Sequence, residues 1–182
     1  ASIVTVADAQ PWQPVHSAPS AAAMAELASL LAQAERPLVI AGGGGWSAEA
    51  TADLQQFVEK FDLPVGVSFR SQDVFDNGHQ CYTGDIAIGV NPKLAQRVRD
   101  ADLLLVLGAR LGEITTGGYT LIDIPVPQQK LVHVYPDPEE LGRVYQPTLG
   151  IVSSMRGAAS ALAELTPAAG KSRKEWRESA HR

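Results

Sequence analysis

Cysteine is almost missing from this chain. Cys81 stands alone in 182 residues, which excludes an intrachain disulfide framework and leads us to expect a reducing, cytoplasmic setting. Long apolar runs are missing as well. None approaches the roughly 18 residues of a membrane-spanning helix, and Ala1 to Ala7 lack the charged start and apolar stretch of a secretory signal. Basic charge is in deficit: 15 Lys and Arg against 20 Asp and Glu leave a net charge of −5, which argues against a nucleic-acid surface. Metal-ligand spacing is absent, because His16, His79, His133 and His181 are scattered and no cysteine cluster accompanies them. No Gly-x-Ser-x-Gly elbow occurs, so a hydrolase triad has little support. An initiator methionine is also lacking, and the expectation is a piece cut from something longer.

What is present is patterned. Hydrophobic residues make up 45% and charged residues 19%, ordinary for a globular chain of one-domain length. The organising stretch is Arg36-Pro-Leu-Val-Ile-Ala-Gly-Gly-Gly-Gly. Leu38 to Ala41 has no polar alternation, as expected of a strand buried on both faces. Four glycines follow, and then a helical stripe of Leu54, Phe57, Val58 and Phe61. A strand that ends in glycines and feeds a helix brings orphan N–H groups and the helix dipole to one point, which suits a phosphate. A tight turn with no ligand is an equal reading of this stretch alone. An ordinary NAD-binding half is disfavoured, since Ser47 replaces the third glycine and the expected acid, Asp62, falls before the second strand.

Residues 1–19, with Pro11, Pro14 and Pro19, form an expected extended lead-in, residues 20–166 a central domain, and residues 167–182 a polar tail. Ser20 caps an expected helix over about 21–35. Further strands are expected at Pro64 to Ser68, Leu103 to Leu107, Leu131 to Tyr135 and Leu149 to Val152, with a possible short one at Cys81 to Thr83. Asn91-Pro92 and Ser154 open helices, and Asp137-Pro138-Glu139-Glu140 combines N-cap, N1 proline and an acid at N3 for another. Strands alternating with helices give a doubly wound parallel α/β sheet.

In such a sheet the carboxyl edge is the binding crevice. Four segments end there: Gly42 to Gly45, Ser68 to Ser71, Gly108 to Arg110 and Tyr135 to Asp137. Arg70 and Arg110 each follow a strand end, where a guanidinium could hold a diphosphate in bidentate fashion; a surface salt bridge is the alternative. Asp137 has two readings, helix cap or acceptor for a ribose hydroxyl. His133 is read as a packed or capping histidine, and Cys81, two residues from His79, as an unreactive thiol.

Four runs in order, Arg36-Pro-Leu-Val-Ile-Ala-Gly-Gly-Gly, Leu63-Pro-Val, Ala101-Asp-Leu-Leu-Leu-Val-Leu-Gly-Ala-Arg and Leu131-Val-His-Val-Tyr-Pro-Asp-Pro-Glu-Glu-Leu-Gly, resemble the central domain of thiamine-diphosphate-dependent enzymes of the acetolactate synthase type. The resemblance runs from about 20 to 165. It implies a mostly parallel six-stranded sheet with helices on both faces, Rossmann-like, of the DHS-like NAD/FAD-binding type. It also implies a parent that is a 2-keto acid decarboxylase or a carboligase that joins the decarboxylated product to a second carbonyl, hence a lyase or a transferase. In that family, flanking domains hold the catalytic Glu and the Gly-Asp-Gly…Asn motif for magnesium and thiamine diphosphate. Neither motif has a match here, so this chain alone is expected to be inactive and to partner those domains within a homodimer or homotetramer. Flavin-containing members bind FAD, and some relatives ADP, on this domain. Carried over, the matching positions are Gly42, Gly43, Gly44, Ser68, Arg70, Ser71, Gly108, Ala109 and Arg110. Where many members have Asp-Ile-Asp-Pro, this chain has Tyr135-Pro136-Asp137-Pro138, so the resemblance implies that a contact to the adenosine portion is either absent or replaced by Tyr135 stacking. A purely structural domain with an empty crevice is the other reading.

Overall fold

Leu38 to Ile40 and Leu103 to Leu107 carry no polar alternation because both faces of these strands are covered. The computed structural model describes residue 4, residues 7–170 and residues 172–179; His181 lies outside them. Its elements, in chain order, are α1 (Ala21–Gln33), β1 (Pro37–Ala41), α2 (Ala48–Phe61), β2 (Val65–Ser68), β3 (Tyr82–Ile86), α3 (Pro92–Asp100), β4 (Leu103–Leu107), β5 (Lys130–Tyr135), β6 (Leu149–Val152), α4 (Met155–Ala163) and α5 (Lys174–Glu178). The strands form one six-stranded sheet in the order β3-β2-β1-β4-β5-β6. Every neighbouring pair is parallel, with Val39 opposite Val65 on one side and Leu105 on the other. The order reverses between β1 and β4, which sets the switch point of a doubly wound sheet.

The period-2 alternation of the strands sorts the core into two layers. Val39, Val65, Val67, Leu105 and Val132 face α1, α2 and α4. Leu38, Ile40, Leu104, Val106 and Leu131 face α3 and the loop through Leu111 and Ile122. On α2, Leu54, Phe57 and Val58 are fully buried, each contributing roughly 1.5–3 kcal/mol of transfer free energy. The helix starts where the Ser47 side chain accepts the Ala50 N–H, and it ends at Asp62, which sits in the left-handed region at φ 53.

Three expectations need correction. The short strand expected at Cys81 to Thr83 runs instead over Tyr82–Ile86, as an edge strand. Asp137 caps no helix: residues 138–142 are a turn, with the Asp137 carboxylate accepting the Glu139 N–H at 3.0 Å. Gly142 in the left-handed region (φ 79) ends that turn before a helix can propagate.

The third concerns the polar tail, of which residues 172–179 are docked rather than solvated. Arg173 is buried and donates to the carbonyls of Leu31 and Ala34, beyond or within the last turn of α1, and of Phe61 at the end of α2. Trp176 donates its indole N–H to the Pro37 carbonyl at 2.8 Å, and the Arg97 guanidinium lies 4.2 Å from its ring centroid. Arg177, also buried, faces Asp62 at 3.8 Å. At the other terminus, Ser17 joins the fold, its carbonyl accepting from the N–H and hydroxyl of the neighbouring Ser153–Ser154 corner.

Candidate functional site

The carboxyl ends of β2, β1, β4 and β5 open onto a cleft of about 560 Å³, within the range of small-molecule sites. Gly43, Ser68, Phe69, Arg70, Ser71, Arg110, Gly112, Glu113, Ile114, Thr115 and Tyr135 line it. The two arginines expected at the crevice therefore both line this one cleft. Arg70 comes from the β2 side of the switch point and Arg110 from the β4 side.

The floor is set by close approach. Ser68 and Ser71 place their hydroxyls 3.2 Å apart, and the Ser71 Oγ accepts the Gly43 N–H at 3.3 Å. A Cβ on Gly42 would lie 1.9 Å from the Ser68 Oγ, and one on Gly43 would lie 1.9 Å from the Gly108 carbonyl oxygen. These glycines let the ends of β1, β2 and β4 converge. Arg70 itself adopts a left-handed backbone (φ 58), uncommon for a long side chain, with its guanidinium 5.0 Å from the Phe69 ring centroid. Strain of that kind persists where the surroundings impose it, and it concentrates at ligand sites.

Arg110 is anchored. Its Nε and Nη2 both reach the Glu140 Oε2, each at 3.0 Å. That hydrogen bond and the carboxylate charge push the Arg110 pKa up.

Gly43, Ser68, Arg70, Ser71, Arg110 and Tyr135 are brought together; Gly42, Gly44, Gly108, Ala109 and Asp137 do not line the cleft. Gly42 and Gly108 act as spacers, since a Cβ on Gly108 would meet the Gly42 carbonyl at 2.6 Å. Ala109 is buried, and its carbonyl meets the His133 Nε2 at 3.0 Å. Asp137 is spent on its own turn. The expectation that the glycine turn would aim the α2 N-terminus at a ligand also changes. Only Gly43 reaches the cleft, and its N–H already has Ser71. Sequence reasoning missed Gly112 to Thr115, which form the far wall from a segment with no periodicity.

The other polar candidates are structural. His79 pairs through Nε2 with Glu59 at 2.8 Å, while its Nδ1 accepts the Cys81 backbone N–H. Burial pushes the Cys81 thiol pKa up, against nucleophilic use. Burial likewise holds His133 below the ordinary imidazole value. Above about pH 6.5 both folded and unfolded chains carry it neutral, so it has no effect there. As pH falls below that value the unfolded chain takes up the proton first, and stability drops by up to about 1.4 kcal/mol per pH unit. His133→Gln is expected to flatten that slope in urea melts between pH 5 and pH 6.5; an unchanged slope would assign it to other groups.

Among the described residues, no group of three or more His, Cys, Asp or Glu side chains is arranged to hold a metal ion. The cleft does not offer the carboxylate-rich oxygen shell that magnesium takes, so these residues do not fit that ion. No helix of the described residues is long and apolar enough to cross a membrane.

A family profile described as "Thiamine pyrophosphate enzyme, central domain" matches residues 24–165. Glyoxylate carboligase from Escherichia coli O157:H7 is 32% identical over 153 residues, covering 81% of this chain and 25% of that protein. The acetolactate synthase large subunit of Corynebacterium glutamicum is 28% identical over 157 residues, covering 86% of this chain and 24% of its own length. A sulfoacetaldehyde acetyltransferase from Castellaniella defragrans is 28% identical over 149 residues, again 81% of this chain and 25% of the relative. The chain thus spans about a quarter of the length of these relatives. A solved structure from Mycobacterium smegmatis, provisionally described as a thiamin diphosphate-dependent enzyme, shares the fold. Its TM-score is 0.68 at 24% identity, covering 88% of this chain and 31% of that one.

Proposed function

The chain belongs to the central-domain family of thiamine pyrophosphate enzymes, and from that premise we propose that its carboxyl-edge cleft takes the diphosphate of ADP or FAD. The whole protein would be a thiamine-diphosphate-dependent enzyme that decarboxylates a 2-keto acid or ligates the product to a second carbonyl. In it this chain supplies the nucleotide crevice and part of the framework between flanking domains. Those domains would hold thiamine diphosphate with its magnesium ion, in a cytoplasmic homodimer or homotetramer. The observation that carries the crevice reading is the pairing of Arg70 and Arg110 across one cleft at the sheet's switch point. A diphosphate placed between them meets a guanidinium from each side, with the Ser71 hydroxyl at the floor and the Tyr135 ring at the β5 wall.

A second reading, a framework domain with no nucleotide, is favoured by the partners already in place. Glu140 holds Arg110, and Ser71 holds the Gly43 N–H. Titration calorimetry separates the two in the full natural chain. ADP or FAD is expected to bind with measurable heat, to raise the melting temperature with ligand concentration, and to lose about tenfold in affinity in Arg70→Ala or Arg110→Ala. Absence of both heat and thermal shift with either nucleotide would leave the framework reading standing.

A further inference from the structure

The anchoring of Arg110 has a direction. Both of its bonds go to one oxygen, the Glu140 Oε2, through Nε and Nη2, each at 3.0 Å. A guanidinium carries five N–H donors. This contact uses the side-on edge and leaves three N–H groups, of which one on Nη1 and one on Nη2 make up the outer fork. That fork matches two phosphate oxygens. The partners also differ in exposure: the Glu140 side chain is 11% exposed and that of Arg110 is 60% exposed.

Glu140 is fixed at its root by the turn after β5. Its own N–H donates to the Asp137 carbonyl at 3.3 Å, and its carbonyl accepts the Arg143 N–H at 3.3 Å. Arg143 Nη1 lies a further 4.0 Å from the same Oε2. A largely buried carboxylate on a tied turn therefore grips an exposed arginine at the rim of the cleft.

We propose that Glu140 is the positioning residue of this cleft, holding the Arg110 guanidinium with its outer fork presented to a phosphate group. An exposed arginine that is free must surrender its rotamer entropy when it meets an anion; one already gripped has surrendered much of it beforehand. The glutamate touches no ligand. It acts through Arg110, and its effect is confined to the phosphate-bearing part of what binds. This inference rests on the reading of the cleft as a diphosphate site.

The test is calorimetry on the full natural chain with ADP and with adenosine, for wild type, Glu140→Ala, Glu140→Gln, Arg110→Ala and the double variant Arg110→Ala/Glu140→Ala. Glu140→Ala is expected to lower ADP affinity roughly tenfold while leaving adenosine unaffected. Glu140→Gln keeps an acceptor oxygen in place and is expected to recover most of that loss. The double variant is expected to bind ADP no worse than Arg110→Ala, because the glutamate has nothing left to position.

Full additivity of the two losses, an equal loss for adenosine, a Gln variant no better than the Ala variant, or unchanged ADP affinity in Glu140→Ala would each overturn the inference while the diphosphate reading survives. A wild-type chain that takes up neither ADP nor FAD would overturn both together; one that takes up FAD alone is put through the same variants with FAD.

Discussion

Gly43→Ala is expected to destabilise the fold by about 2–5 kcal/mol, the sum of forcing a side chain into the left-handed region and of overpacking a closed site. The residue sits at φ 70, and a methyl group there would lie 1.9 Å from the Gly108 carbonyl oxygen. That oxygen belongs to backbone and cannot rotate away. The end of β1 must part from the end of β4, where the Gly108 N–H is tied to the Val134 carbonyl at 2.9 Å. The melting temperature should fall on the order of 10 °C for a chain of this size, and nucleotide uptake should fall with it. Gly44→Ala is the control. Nothing stands within 4 Å of a Cβ at Gly44, so its unfolding free energy from urea melts should stay within about 0.5 kcal/mol of wild type. Matching midpoints for the two variants would mean that β1 and β4 do not approach as described.

Arg173→Ala carries the other large effect. The guanidinium serves carbonyls at the ends of two helices: Ala34 at 3.2 and 3.3 Å, Phe61 at 3.3 Å, and Leu31. Helix C-termini leave their last carbonyls without partners, and here the arginine is that partner. Removing it strands buried acceptors, at roughly 1–3 kcal/mol for each that water cannot reach. A total loss of about 2–4 kcal/mol is expected, read as a lower urea midpoint at constant slope. Lysine at this position is expected to recover only part, since it must reach all three carbonyls from one nitrogen, without the fixed fork by which Nε, Nη1 and Nη2 serve them here. Lys174→Ala, which removes an exposed pair with Glu178 at 3.7 Å, should change stability by well under about 1 kcal/mol. If Arg173→Ala were as mild as Lys174→Ala, the segment would not be docked.

The sheet was legible because burial on both faces leaves a plain trace: Leu103 to Leu107 has no other reading than a covered strand. Helix starts were legible for the same local reason, with Ser20, Asn91 and Ser154 each accepting a first-turn N–H; Ser47, read only as a missing third glycine, turns out to cap α2 in the same way. Asp137 carries the same local signal and opens only a turn, because Gly142 closes the segment too soon. Convergence of Arg70 and Arg110 followed from topology, since residues after parallel strands share an edge. The far wall at Gly112 to Thr115 did not, because a loop with no periodicity takes its path from what it packs on. Glu140 reads locally only as a helix-start acid, and nothing near it in the chain pairs it with an arginine thirty positions earlier. The docked arginines were the largest omission. A charged segment suggests a solvated one, yet the peptide carbonyls at helix ends are acceptors that the composition of a tail does not disclose.

The grip of Arg173 on Leu31 and Ala34 joins residues 142 and 139 positions apart. During vectorial synthesis at the ribosome, α1 emerges long before the residue that completes its end. At translation speeds of about 5–20 residues per second, the first helix waits roughly seven to thirty seconds for that closure. A nascent chain arrested just short of Arg173 already carries all six strands, yet the carbonyls at the ends of α1 and α2 still lack their guanidinium, so residues 172–179 act as a late latch on two helices made much earlier.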